Sequence, residues 1–182
     1  MTAGTTDAAF RFHARHLPRQ LHKISRAQIF IYRRWENEHM TTFRYLEGIT
    51  EADYAFEASG KDLSEMFTNA ALATEGLMAD LKTIKPIKKK TLGLTNEDVG
   101  KLLHEFLEEL VFLKDAETLL FSKFKLDVKK EKVYMLSAEL LGDNIDATKQ
   151  HLGIDVKAIT LHEFKVEQLK DKSWRCQVVV DV

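Results

Sequence analysis

The sequence holds a single cysteine, Cys176, among 182 residues. An intrachain disulfide and a zinc cluster built from thiolates are therefore excluded, and a reducing, cytosolic setting fits. No apolar run reaches the roughly 18 residues a membrane helix needs, so no membrane span is expected. Neither sign of charge dominates. The 27 basic and 28 acidic side chains leave a formal net charge of −1, which gives no case for whole-molecule binding to a polyanion. Also missing are G-x-G-x-x-G, the P-loop, G-x-S-x-G and H-E-x-x-H. His104-Glu105 comes nearest to the last, but Glu108 stands where the second histidine would have to be. What is present, 45% apolar and 30% charged residues, is the composition of a globular chain with a core to bury.

The near-zero charge is a cancellation. Residues 1–39 carry Arg11, Arg15, Arg19, Lys23, Arg26, Arg33 and Arg34 against Asp7, Glu36 and Glu38, a net +4. Residues 40–182 carry 20 basic and 25 acidic side chains, a net −5. The chain therefore reads as a basic N-terminal extension, 1–39, followed by a mildly acidic domain, 40–182. The extension is rich in arginine, as transit peptides are, but Ser25 is its only serine and it lacks the apolar stretch of a secretory signal. Two readings stay open. One is an upstream stretch included by a misplaced start, with Met40 the natural first residue. The other is a genuine disordered extension, in which Gln20 to Trp35 could form a short basic helix able to touch RNA or a membrane surface.

After Met40 the apolar period alternates between two and 3.6. Thr41–Leu46 and Tyr54–Ala58 read as short strands. Asp62 and Glu65 have capping-box spacing, and a helix is predicted from there to about Asp80, with Leu63, Met66, Phe67, Ala70, Leu77 and Met78 on one face. Pro86 bars helix nearby, and Ile87–Leu94 reads as a strand. Thr95 or Asn96 is the expected cap of a second helix running to about Phe112, with Glu97 and Asp98 at its positive end. Phe124–Val128 and Val133–Leu141 read as strands joined by a polar turn. Gly142–Gly153 reads as a 12-residue loop, and Val156–Gln168 with Trp174–Val180 as a closing hairpin. The expected class is α+β, two helices on one face of a mainly antiparallel or mixed sheet.

Most reactive-looking residues have ordinary explanations. Cys176 lies in an alternating strand and reads as a packed thiol. Glu105, Glu108 and Glu109 read as a solvated helix face. Lys88 to Lys90 read as a charged strand edge that deters sheet-to-sheet pairing, ahead of a phosphate-contact patch. Two acids differ by context. Asp53 stands where a turn feeds a strand, and Asp181 closes the run Val178-Val179-Val180 one residue before the end of the sequence. Together with the carboxylate of Val182 they would offer hard oxygen ligands for Ca²⁺ or Mg²⁺, with water completing the shell. A turn acid and a solvated chain end explain the same residues without a metal. In the segment Asp155 to His162, strand alternation would place Asp155, Lys157, Ile159 and Leu161 on one side and His162 on the other. Lys157 could neutralise a metal-bound carboxylate or meet a phosphate, or it could snorkel to solvent.

Taken together, several segments resemble the archease family. They are Tyr45-Leu46-Glu47-Gly48 with Ala52-Asp53-Tyr54-Ala55-Phe56-Glu57-Ala58, and Gly60-Lys61-Asp62-Leu63 with Met66-Phe67-Thr68-Asn69-Ala70-Ala71. Leu102–Leu113 with Asp115-Ala116-Glu117, and Leu119-Leu120-Phe121, follow. The closing signature is Asp155-Val156-Lys157-Ala158-Ile159-Thr160-Leu161-His162 and Val178-Val179-Val180-Asp181-Val182. The likeness spans about residues 43–182 in order and leaves 1–39 aside.

The resemblance implies a non-catalytic accessory protein. Archeases activate the RtcB-type RNA ligase of tRNA splicing and RNA repair, promoting attachment of GMP to the ligase's own histidine from GTP with Mn²⁺, and repeated turnover. It implies a divalent cation, Ca²⁺ ahead of Mg²⁺ or Mn²⁺, held by Asp53, Asp181 and Val182; beside that set, this sequence offers Lys157, Glu51 and His162 as supporting residues. It implies the ligase as partner, RNA only through it, and neither DNA nor membrane. One departure stands out: where many archeases read His-Thr-Ala-Asp, this chain reads Thr50-Glu51-Ala52-Asp53, so no histidine role carries over and Glu51 becomes an added or replacement oxygen donor. Two other classes stay in view, a general chaperone or adaptor for RNA-processing enzymes and a stand-alone metal-dependent hydrolase of RNA or nucleotides. The hydrolase would need a convergent base, for which only His162 and Glu51 are candidates.

Overall fold

The structure is a computed structural model, and it describes residues 43–46 and 53–182, with Asp53 described by its backbone. The basic extension and Glu51 lie outside the described residues. The elements are β1 (Phe43–Leu46), β2 (Asp53–Gly60), α1 (Leu63–Met78), a short 3-10 turn (Leu81–Thr83), β3 (Lys88–Asn96), α2 (Val99–Glu117), β4 (Leu119–Lys130), β5 (Tyr134–Asn144), β6 (Ala158–Gln168) and β7 (Trp174–Asp181). The class is α+β, and the strands divide into two sheets, ordered β1-β2-β7-β6 and β3-β5-β4. Every pairing within them is antiparallel.

Helix α1 begins as its sequence requires. The Asp62 side chain accepts from the Glu65 backbone N–H at 2.9 Å, and Glu65 reaches back to the Lys61 N–H at 2.7 Å. The predicted apolar stripe understates its burial: Ala71, Ala73, Thr74, Glu75 and Gly76 are buried as well. The reason is tertiary. The helix packs on β2 of one sheet and on β4 of the other, so it is covered nearly all round. Its small residues permit the close approach; at Gly76 a Cβ would sit 2.7 Å from the Tyr45 hydroxyl. That hydroxyl donates to the Ala73 carbonyl at 2.9 Å.

Helix α2 differs from expectation at both ends. Its cap is Asp98, whose side chain accepts from Lys101 N–H at 2.8 Å. Asn96 sits two residues upstream and accepts from the Asp98 N–H instead. The helix continues past Phe112 to Glu117 and stops at Thr118, which adopts the left-handed conformation (φ 54°). Its apolar face, including Leu102, Leu103, Phe106, Leu107 and Leu110, is fully buried, and Phe106 stacks on Phe67 of α1.

The expected 12-residue loop is shorter and more ordered than its polarity suggested. Strand β5 runs on to Asn144, and the Asp146 side chain then organises a turn by accepting from Thr148 and Lys149. The chain returns to α1: Gly153 N–H donates to Met78 O at 2.7 Å and Ile154 N–H to Leu77 O at 2.8 Å. At the edge strand β3 the three lysines all find acceptors: Lys88 on Asn144, Lys89 on Glu139 and Lys90 on Glu117. A charged, self-neutralised edge is what those residues form.

Candidate functional site

Strand β7 is an interior strand, paired with β2 on one side and β6 on the other, and its run Val178-Val179-Val180 is continuous rather than alternating because both faces of the strand are covered there. All three valines are fully buried. The strand emerges into solvent at Asp181, which is exposed, and Val182 beyond it is half-buried. Strand register then decides what Asp181 meets. Its partner on β2 is Asp53, and its partner on β6 is Ala158. Two aspartates far apart in sequence thus occupy directly opposed positions at one end of the sheet. The backbone carbonyl of Asp181 accepts from the Lys157 N–H at 2.9 Å, which brings the exposed Lys157 to the same end.

As a donor set, two aspartates are hard oxygen ligands, suited to Ca²⁺ or Mg²⁺ rather than to a thiolate-seeking metal. The exposure of Asp181 leaves room for water in a cation's shell. Donor chemistry of this kind is compatible with the cation that the resemblance implies. Among the described residues, no three His, Cys, Asp or Glu side chains are gathered into a metal-holding cluster.

His162 is not brought to this end. Strand β6 keeps register with β7 at Thr160–Val179 and again at Lys165–Gln177, so residues 161–164 bulge out between those pairs. Glu163 there takes a left-handed φ of 50°. The bulge also breaks the expected alternation, since Ile159 is buried while Leu161 is 70% exposed. An open cleft lies beside the bulge, lined by Leu161, Phe164, Gly100 and Lys101 among others, and it includes neither Asp181 nor Val182.

The residues the sequence reading passed over lie on α2. Glu108, assigned to a solvated face, accepts the backbone N–H of Ile159. One turn earlier His104 Nε2 lies 2.8 Å from the Ile159 carbonyl, which requires the proton on Nε2. Lys114 is 8% exposed, and its Nζ stands 2.5 Å from Asp155 Oδ1 and 2.6 Å from Asp115 Oδ1. Burial pulls this ammonium down, but the hydrogen bonds and charges of Asp115 and Asp155 more than reverse that, leaving it above the ordinary lysine value. A signal existed: Lys114 continues the stripe of Leu103, Leu107 and Leu110 at helical spacing, an odd place for a lysine.

Cys176 and Glu75 are among the groups perturbed by burial elsewhere in the fold. Burial pushes the Cys176 thiol up to about 12, as expected of an inert packed thiol. Glu75 in α1 is fully buried, and burial raises its carboxyl well above the ordinary 4.5, with the Phe121 backbone N–H pulling weakly the other way. Neither of its oxygens makes a hydrogen bond of good geometry among the described residues.

Comparison with known proteins gives one consistent result. The family model of the Archease protein family (MTH1598/TM1083) matches residues 43–182. Protein archease of Pyrococcus abyssi is 32% identical over 151 residues, covering 82% of this chain and 99% of that protein. The solution structure of Methanobacterium thermoautotrophicum protein 1598 superposes with a TM-score of 0.69 at 32% identity, covering 79% of this chain and all of that one. A crystal structure from Thermotoga maritima, described as an archease and possible chaperone, shares the fold with a TM-score of 0.52 at 19% identity, covering 80% of this chain and 99% of its own. Among the described residues no helix is long and apolar enough to cross a membrane.

Proposed function

The chain belongs to the archease family, and from that premise we propose that it is a non-catalytic accessory protein that activates an RtcB-type RNA ligase in tRNA splicing and RNA repair. It promotes guanylylation of the ligase and multiple turnover, and it reaches RNA through the ligase. Asp53, Asp181 and Val182 hold a divalent cation, Ca²⁺ before Mg²⁺ or Mn²⁺, and Lys157 supports them. The observation that carries this reading is the strand register. Asp53 stands opposite Asp181 at an exposed sheet end, and Lys157 is hydrogen-bonded to the same Asp181 backbone. A cation held there carries positive charge to whatever docks on that end, which suits the polyphosphate of GTP.

The test uses purified ligase, GTP and Mn²⁺, with covalent GMP on the ligase as the readout. The full chain should stimulate guanylylation, and Asp53→Ala with Asp181→Ala should remove that stimulation while the variant keeps its circular dichroism. Undiminished stimulation by the double variant refutes the site. RNA degradation by the pure protein, abolished by chelator, would turn the assignment towards a hydrolase.

A further inference from the structure

Lys114 is a lysine on the buried side of α2 whose head reaches out to a carboxylate that is itself 73% exposed. The carboxylate belongs to Asp155, in the stretch before β6 that has no ladder of its own. Two residues on, Lys157 N–H donates to Asp181 O at 2.9 Å. Ala158 then pairs with Asp181, and Ile159 gives its N–H to Glu108 while its carbonyl meets His104 at 2.8 Å. Three side chains of one helix therefore hold the segment 155–159 at both of its ends, and Lys157 lies between them.

We propose that Lys114, through its ion pair with Asp155, is a positioning residue that fixes segment 155–159 so that Lys157 and Asp181 are presented to the partner ligase as a preformed pair. The inference rests on the activator reading above. Lys114 does not itself touch cation, nucleotide or ligase. It acts by stopping the leading end of the segment from swinging, and a misplacement of about 1 Å at such a site can cost roughly 100-fold. The competing account is that upstream anchors suffice. Gly153 and Ile154 are bonded to the end of α1, and Val156 is fully buried.

The experiment compares the full chain with Lys114→Met, Asp155→Asn, their double variant, and Asp181→Ala. Methionine keeps the apolar stem and removes the charged head, so folding should survive. Two readouts are taken: maximal stimulation of ligase guanylylation, and amide hydrogen exchange at Lys157 and Ile159 against the amides of β5. Positioning predicts a loss of maximal stimulation of roughly 10- to 100-fold for either single variant, with the double variant no worse than one alone. It also predicts exchange at least about tenfold faster at Lys157 and Ile159, with β5 unchanged. Full stimulation with unchanged local exchange overturns the inference in favour of the upstream anchors. Faster exchange throughout, β5 included, overturns it in favour of a purely structural lysine. If Asp181→Ala stimulates normally the Asp181 site falls, if the full chain itself gives no stimulation the activator reading falls, and in either case the exchange arm still decides whether Lys114 holds the segment.

Discussion

Glu75 offers the sharpest test of the packing. It lies in a helix clamped between two sheets, fully buried, with no well-formed hydrogen bond to its carboxyl among the described residues. Burial disfavours the ionised form, so the folded chain keeps the proton at pH values where the unfolded chain, with an ordinary value near 4.5, has lost it. In that window the native state binds more protons than the unfolded state, so stability falls as pH rises. The loss begins at about the unfolded value and ends at the higher folded one. Its slope is about 1.4 kcal/mol per pH unit, a large share of the 5 to 15 kcal/mol that holds a typical domain together. Glu75→Gln has nearly the same shape and cannot ionise. At pH 5 the variant should be the less stable, by about 1–3 kcal/mol, because its amide brings one more buried donor without an acceptor. Raising the pH should then favour the variant by about 1.4 kcal/mol per unit as the wild type weakens. The assay is urea denaturation followed by circular dichroism at half-unit steps from pH 5 to pH 8. Other carboxylates titrate alike in both proteins and cancel in the difference. A difference that stays constant across the series would mean that Glu75 titrates as an ordinary surface acid, and the burial argument would be wrong.

Two further outcomes follow from local geometry. Cys176, with its thiol pushed up to about 12 by burial, should resist iodoacetamide at pH 8 in the native state and react stoichiometrically in urea; rapid native labelling would place it at the surface. Gly142→Ala should lose about 3 kcal/mol or more in chemical denaturation, because the new Cβ would stand 1.9 Å from the Leu120 carbonyl oxygen, a backbone atom that cannot step aside.

Local signals marked most elements but few boundaries. The Asp62–Glu65 spacing located the start of α1 because capping is a contact within one turn of chain. The second cap, expected at Thr95 or Asn96, lies two or three residues further on, at Asp98, for an equally local reason. Asn96 and Asp98 are both good caps, and the choice between them depends on where β3 ends against β5, which no short window contains. The burial of Glu75 was illegible altogether: one acid in a helix reads as a solvated position unless both flanking sheets are known. The division into two sheets has the same origin, since pairing partners are set by tertiary packing while alternation marks only the strands themselves.

The sheet end around Asp181 shows how far spacing could go. Asp53 and Asp181 were singled out by their neighbours in sequence, and the β2–β7 register is the long-range fact that puts them opposite each other. The α2 residues were missed because their partners are backbone atoms on another element. The edge strand β6 must dispose of an open N–H and C=O at Ile159, and Glu108 and His104 accept and donate to them. Immediately afterwards the bulge at 161–164 interrupts the pairing with β7, which resumes at Lys165. Blunting the edge and holding the segment that carries Lys157 are therefore one structural act. A helix placed to protect an edge strand is also placed to fix the residues that lead into it, and here those residues stand beside Asp181.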